Sequence, residues 1–366
     1  MKPSNYIISG GGTGGHIFPA IAIADAIKAK QPQAQIVFVG AYGKMEMEKV
    51  PQAGYPIHGI WISGIQRTQL WKNLLFPLKL GVSLIQAFFL WMRYRPSILV
   101  GTGGFASGPM LFVGRLMGSK TLIQEQNSYP GITNKLLAKK ANAVAVAYAD
   151  MERYFPAHKI HFTGNPVREN LLKKLSSKTE ALKHFELAPK KKTVVIIGGS
   201  LGAQKINELI AAQLPFFEAQ GVQLLWQCGR LYYERYRSMN TPNVKVYPFI
   251  AEMHLVYAAA DIIISRAGAS SISELCLVGK PTLFIPSPNV AENHQYHNAN
   301  ALVKQDAAIL IQEKELEKTF ETAFTQLLKN EKRQVELGEN MRKLAKPQAT
   351  QNIVACIENL MSGNEE

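Results

Sequence analysis

The chain has little cysteine: Cys228, Cys276 and Cys356 are the only three in 366 residues, far apart and with no CxxC pair. A disulfide framework is excluded, and a reducing, cytosolic setting is expected. No charge-free apolar run is long enough to span a bilayer; the longest candidate, Leu80 to Met92, has 13 residues and includes Ser83 and Gln86. Met1 leads within a few residues into an apolar strand and then a glycine run, so no secretory leader is expected. No Asp-x-Asp pair occurs, which argues against a nucleotide held through a chelated metal. Acidic residues are scarce in the first half. Residues 1–165 hold 17 Lys and Arg against 6 Asp and Glu, a balance of +11, whereas residues 166–366 hold 24 against 21, only +3. The net charge of +14 is therefore mostly a property of the N-terminal half, and it asks for an acidic partner there.

What is present is the composition of a folded soluble protein, 47% hydrophobic and 19% charged, long enough for two domains. Short β-branched runs alternate with helical stretches: Tyr6–Ser9, Gln35–Val39, Ser97–Val100, Thr121–Gln124 and Ala143–Ala147, then Thr193–Ile197, Val222–Trp226, Val244–Tyr247, Asp261–Ile264 and Thr282–Ile285. Such alternation predicts βαβ units and parallel sheets. Each set opens on a buried strand, a Gly-rich turn and a helix, at Tyr6–Gly15 and at Val194–Ala203. The expected fold class is α/β, with two Rossmann-like domains facing a central cleft. The expected divisions are residues 1–165, 166–345 and a C-terminal helix at 346–366 packing back on the first domain.

Gly10-Gly11-Gly12-Thr13-Gly14-Gly15 satisfies the GxGxxG dinucleotide pattern. The NAD reading also needs an acid at the end of the next strand, and Phe38-Val39-Gly40-Ala41 offers none. His16 follows the glycines directly. At a helix N-terminus the dipole disfavours an imidazolium, leaving a neutral ring able to accept a proton, so His16 is the first candidate for a general base. A second Gly-rich loop, Gly101–Pro109, contains Gly103, Gly104 and Ser107; with Gly12 it could form an anion-binding floor. Gly198-Gly199-Ser200 suits a diphosphate at a helix start. Glu274, one turn into the helix after Ser265–Ser271, is either a ribose ligand or a carboxylate that stabilises the helix dipole. Asn293–Asn298 is rich in hydrogen-bonding side chains. His294 and His297 share a helical face, but no cluster completes a metal site, so contacts to a sugar are the better reading.

Residues Trp71–Arg93 read as an amphipathic helix, with Pro77 starting its regular part. The stripe Trp71, Leu75, Leu78, Val82, Ile85, Phe89 and Met92 is expected to cover a sheet. The apolar surplus off that stripe, Leu74, Phe76, Leu84, Phe88 and Trp91, favours an interfacial membrane patch on the basic domain. Trp71, Leu75, Phe88 and Trp91 are its candidate residues. No helix-turn-helix, RNA-recognition or zinc signature supports nucleic acid as the acidic partner.

These pieces in this order resemble the MurG family of peptidoglycan glycosyltransferases. The likeness runs over nearly the whole chain: Gly10–His16 with Phe18-Pro19, Gly101–Pro109, Glu125-Gln126-Asn127, Thr163–Arg168, Gly198–Ser200, Arg266–Glu274 and Gln295-Tyr296. It implies a GT-B enzyme moving N-acetylglucosamine from UDP-GlcNAc to the C4 hydroxyl of the MurNAc unit of undecaprenyl-pyrophosphoryl-MurNAc-pentapeptide (lipid I). The product is lipid II, formed with inversion and without a cofactor or a metal for the chemistry. The resemblance further implies Ser200 and Arg168 on the donor diphosphate, the Ile250 backbone on uracil and Glu274 on the ribose. Ala269, Ser270, Ser271, Ile272 and Ser273 would form the phosphate-side loop. Gln295 and Asn127 would touch the sugar, with Thr13, Gly14 and Gly15 closing from the other domain. The acceptor diphosphate falls to Gly12, Gly103, Gly104 and Ser107. The implied location is the cytoplasmic face of the bacterial plasma membrane, as a peripheral protein, with anionic lipids and other cell-wall and division proteins as partners. Two positions depart from the family pattern: Phe105 stands where a tyrosine is frequent, and His294 where a second glutamine is frequent. A related transferase making a glycolipid from another lipid acceptor, a UDP-GlcNAc epimerase and a catalytically silent nucleotide-sugar-binding protein are the competing readings.

Overall fold

The computed structural model describes residues 5–64, 70–167, 176–199 and 201–363. The chain divides into two compact units, Met1–Val167 with Pro347–Glu366, and Arg168–Lys346.

In the first unit the strands are β1 (Asn5–Gly10), β2 (Gln35–Ala41), β3 (Ile57–Ile60), β4 (Ile98–Gly103), β5 (Lys120–Glu125), β6 (Ala143–Val146) and β7 (Ile160–Phe162). They form one sheet in the order β3-β2-β1-β4-β5-β6-β7, parallel throughout. A parallel sheet is covered on both faces, so its strands are apolar at consecutive positions rather than alternate ones. Tyr6 and Ile8 belong to one buried cluster with Phe38, with Ile17 and Ile23 of helix α1 (Gly14–Lys30), and with Ile353 and Ile357. Ile7 faces the other way, among Val39, Leu99, Ile123 and the α4 residues Met110 and Leu111. The remaining helices used below are α2 (Glu46–Gln52), α3 (Phe76–Tyr94), α4 (Ser107–Leu116) and α5 (Ile132–Ala138). The last helix of the chain, Ala349–Ser362, lies against α1 and belongs to this first unit.

The second unit repeats the design with β8 (Thr193–Ile197), β9 (Gln223–Gln227), β10 (Val244–Tyr247), β11 (Ile262–Ser265), β12 (Thr282–Phe284) and β13 (Ile309–Leu310), in the order β10-β9-β8-β11-β12-β13. Its strands are likewise parallel. Val194, Ile196, Leu224 and Trp226 pack with Phe217, Phe320 and Phe324.

Three strands were not expected from the sequence, β3, β7 and β13, and all three lie at sheet edges. All are short, and β3 (Ile57-His-Gly-Ile60) and β7 (Ile160-His-Phe162) are partly polar, because one side of an edge strand needs no apolar cover, while β13 has only two residues. A second difference concerns β4, which runs on through Gly101-Thr102-Gly103 instead of ending at Val100. Its pairing with β1 shifts register between Ser9 and Gly10, bringing Gly10 opposite Gly103.

Ile357 is fully buried between the last helix and the first sheet. Ile357→Ala should cost about 3 kcal/mol. Urea unfolding followed by a probe in the first unit should show this loss, while a probe in the second unit should be little affected.

Candidate functional site

Because each sheet is parallel, every loop that follows a strand emerges along the same edge, where ligands bind in folds of this class. In the first unit this edge carries the β1–α1 and β4–α4 loops, which interlock. A Cβ on Gly10 would sit 1.9 Å from Thr102 Oγ1, and one on Gly104 would sit 2.3 Å from the Gly11 carbonyl oxygen. Gly103 and Gly104 both have positive φ, 101° and 82°, which L side chains rarely adopt. The Gly11 N–H donates to the Gly103 carbonyl at 3.3 Å. His16, in the first turn of α1, is clamped by this arrangement. Thr102 Oγ1 donates to its carbonyl at 2.9 Å, Nδ1 lies 2.9 Å from Gln126 Oε1, and a Cβ on Gly103 would come within 2.9 Å of the ring.

Two buried carboxylates, neither anticipated as a site residue, shape this edge. Glu46, fully buried in α2, accepts from the Gly12 N–H at 2.9 Å and from the Ala41 N–H at 3.0 Å. It fills the space left by Gly11 and Gly40, whose hypothetical Cβ atoms would overlap it. The acid missing at the end of β2 is thus supplied five residues later, and it binds the loop rather than a ribose. Glu125 at the end of β5 accepts from the Asn127 N–H and Asn127 Nδ2 on one oxygen, and from the Gly131 N–H and Asn134 Nδ2 on the other. That double grip fixes Asn127. Two expected anion ligands are already engaged. The Gly12 N–H is committed to Glu46, and the Ser107 hydroxyl donates to the Gly104 carbonyl at 2.8 Å. Gly103, Gly104 and the first turn of α4, which has neither an acidic residue nor a capping side chain, remain as the candidate anion-binding part of that loop.

In the second unit the corresponding edge carries the Gly198-Gly199 turn, Ile250 after β10, Ala269–Glu274 after β11 and Gln295 after β12. Arg168 and Ser200 lie outside the described residues. Gln227, at the end of β9, joins two of these pieces: its Nε2 donates to the Gly199 carbonyl at 3.2 Å and its Oε1 accepts from the Ile250 N–H at 2.8 Å. The Ile250 N–H is therefore taken, and a base meeting this residue would find its carbonyl. The helix Ala269–Val278 starts without an acidic residue or a side-chain cap. Glu274, set deeper and buried, accepts from Tyr257 Oη at 3.0 Å. Gln295 Oε1 accepts from the Ser287 N–H at 2.9 Å, which orients its amide. Arg266 is turned away from this loop, donating to the Ile285 carbonyl at 2.9 Å and pairing with Glu313 at 2.5 Å. Burial pushes the Cys276 thiol up to about 12 and the Cys228 thiol up to about 11, so neither serves as a nucleophile. Among the described residues no group of three or more His, Cys, Asp or Glu side chains is placed to hold a metal ion.

The apolar helix of the first unit is oriented opposite to expectation. The stripe assigned to the sheet is the exposed one: Trp71 is 75% exposed and Phe89 63%, with Leu75, Leu78, Ile85 and Met92 also exposed. Three residues taken as surplus, Phe76, Leu84 and Trp91, pack against the core beside buried Ser83 and Ala87. Trp91 donates its indole N–H to Ser119 Oγ at 2.7 Å and is not part of a membrane-facing patch. Leu74 and Phe88 remain exposed. The reason is that small Ser83 and Ala87 let the helix approach the layer beneath, which hydropathy alone does not register. Neighbouring α4 and α5 add exposed Phe112, Leu116, Ile132 and Leu136, together with Arg115, Lys139 and Lys140. None of the described helices is long and apolar enough to cross a membrane.

Each unit is a parallel sheet with glycine turns along its carboxyl edge, the doubly wound α/β class in which ligands bind at that edge, and comparison with known proteins narrows it. The glycosyltransferase family 28 N-terminal domain matches residues 6–146, and the family's C-terminal domain matches residues 193–353. The UDP-N-acetylglucosamine--N-acetylmuramyl-(pentapeptide) pyrophosphoryl-undecaprenol N-acetylglucosamine transferase of Flavobacterium psychrophilum is 51% identical over the full length of both chains. The enzyme of the same name from Bacteroides thetaiotaomicron is 50% identical over 96% of each. The crystal structure of Acinetobacter baumannii MurG superposes with a TM-score of 0.78 at 29% identity, covering 98% of this chain and all of that one. A putative UDP-N-acetylglucosamine 2-epimerase from Listeria monocytogenes, at 11% identity and a TM-score of 0.68, shares the fold alone. The chain belongs to the MurG family of glycosyltransferase family 28.

Glu46→Ala removes the acceptor of two main-chain N–H groups and empties the space beneath the first loop. A loss of about 3 kcal/mol is expected, measured by chemical denaturation, and Glu46→Gln, which retains one amide oxygen, should lose less.

Proposed function

We infer that this chain transfers N-acetylglucosamine from UDP-GlcNAc to the C4 hydroxyl of the MurNAc unit of lipid I, making the β1–4 bond of lipid II with inversion. The observation that carries this is identity of about one half, end to end, with enzymes named for that transfer. The epimerase reading rests on fold alone. Chemically the step is one in-line displacement: the C4 oxygen attacks the anomeric carbon, its proton passes to His16, and the bond to the UDP oxygen breaks.

The second unit takes the donor. The Ile250 carbonyl accepts from the uracil N3–H, Glu274 takes the ribose hydroxyls, and Arg168, Ser200 and the first turn at Ala269–Ser273 take the diphosphate. The uncapped helix start supports that last role, since main-chain N–H groups and the helix dipole meet the charge gathering on the leaving UDP. No cofactor enters this scheme. Gln295 addresses the sugar from the second unit, and Asn127, Thr13, Gly14 and Gly15 carry the sugar-side role that the resemblance implies for the first. Asn127 is held for such a task by Glu125. Gly103, Gly104 and the start of α4 take the acceptor diphosphate, in keeping with the +11 balance of residues 1–165. Trp71, Leu75, Phe88 and Phe89, with the cations around them, rest on the anionic cytoplasmic face of the plasma membrane, where a lipid acceptor is met. Other cell-wall and division proteins would be met at the same surface.

His16→Ala should abolish formation of the disaccharide product from radiolabelled UDP-GlcNAc and a lipid I analogue while leaving UDP binding within about twofold; turnover at the original rate would remove His16 from the base role. Ile85→Asp with Phe89→Asp, both on the exposed face, should release the protein from anionic liposomes in a sedimentation assay. Undiminished co-sedimentation would refute the membrane role of α3.

A further inference from the structure

Three buried primary amides, Asn165, Gln124 and Gln126, form a hydrogen-bonded chain that ends at the His16 ring, and main-chain carbonyls fix which way it runs. Asn165 donates through Nδ2 to the Gln126 carbonyl at 3.0 Å, so Oδ1 is the end that accepts from Gln124 Nε2, also at 3.0 Å. The Gln124 oxygen is then left to accept from Gln126 Nε2. That same Nε2 faces the carbonyls of Thr102 at 2.7 Å and of Gln124 at 3.0 Å. Carbonyl oxygens only accept, so Gln126 cannot turn its own oxygen toward them. Its Oε1 therefore faces His16, 2.9 Å from Nδ1. An amide oxygen cannot donate, so Nδ1 must carry the hydrogen, and in the neutral ring the lone pair then sits on Nε2.

The geometry points to Gln126 as a positioning residue that locks His16 in the Nδ1–H tautomer and leaves Nε2 as its single proton-accepting atom. This rests on the reading of His16 as the base. Gln126 is 1% exposed, and its amide is engaged with the His16 ring, with the Thr102 and Gln124 carbonyls and with the Gln124 side chain. Its contribution is orientation: it fixes which nitrogen accepts the C4 proton and holds the ring plane against Gly103, where no side chain could intervene. A general base presented in the wrong tautomer loses most of its effect even when its position is intact. Because the partner is a neutral amide rather than a carboxylate, the order is imposed through a chain of donors ending at main-chain carbonyls, with Asn165 as the far anchor.

The test combines a spectroscopic reading with kinetics. Two-bond 1H–15N spectra of the wild-type protein, with the His16 signals assigned by their absence from His16→Gln, should show a protonated Nδ1 and an unprotonated Nε2 at a pH where the ring is neutral. In Gln126→Met, which keeps the volume and removes the amide, the two nitrogens should move toward averaged shifts. That variant's kcat should fall roughly tenfold or more, with KM for UDP-GlcNAc within twofold. A wild-type ring protonated on Nε2, or a Gln126→Met protein with unchanged tautomer and kcat, would overturn the proposal. The wild-type spectrum decides the matter even should the variant fail to fold. Should His16→Gln retain full turnover, the reading of His16 as the base fails instead, a result distinct from either tautomer outcome.

Discussion

The contact on which the first unit depends is the close approach of two glycine turns. Gly11 and Gly104 touch backbone to backbone, and Gly10 lies against Thr102, at distances that no Cβ would permit. This contact sets the end of β4, brings Gly10 opposite Gly103, and gives the His16 ring a flat glycine surface to lie on. Behind it, Glu46 ties the first turn to the end of β2 through two main-chain N–H groups. Backbone polar groups at the edge of a parallel sheet must find partners. Here they find carboxylates and each other.

The second unit uses the same logic with different side chains. Gln227 joins the Gly199 turn to Ile250, and Tyr257 holds Glu274 in place. In both units a candidate site residue is held by a neighbouring side chain, His16 by Gln126, Asn127 by Glu125, and Glu274 by Tyr257. Such backing narrows the geometries available to the functional group, and narrow geometry is what makes proton transfer and leaving-group stabilisation efficient.

Much of this was legible beforehand, and the exceptions share a physical cause. Strand β1 and the loop that ends at His16 could be read because buried parallel strands and glycine turns leave strong local patterns. Glu46 could not, because its partners, Gly12 and Ala41, are set by tertiary packing and its place five residues beyond β2 carries no local signal. Gln126 stood inside a quoted motif, yet its role depends on Asn165, 39 residues away. Helix α3 is amphipathic as its periodicity predicts, but the face opposite to the expected one points inward. Periodicity finds a stripe without saying which side is wet, and here Leu78, Ile85, Phe89 and Met92 face outward while Ser83 and Ala87 face in beside Phe76, Leu84 and Trp91.

Composition and local pattern alone determined the two α/β units, the basic character of the first half and the glycine turns, the first of them ending at His16, because each is encoded by residues adjacent along the chain. Only the folded structure decided which amide nitrogens are already occupied, which way the buried amides point and which face of α3 meets solvent. Those properties belong to pairs of residues far apart in sequence, and a hydrogen bond or a close contact exists only once both members have been brought together.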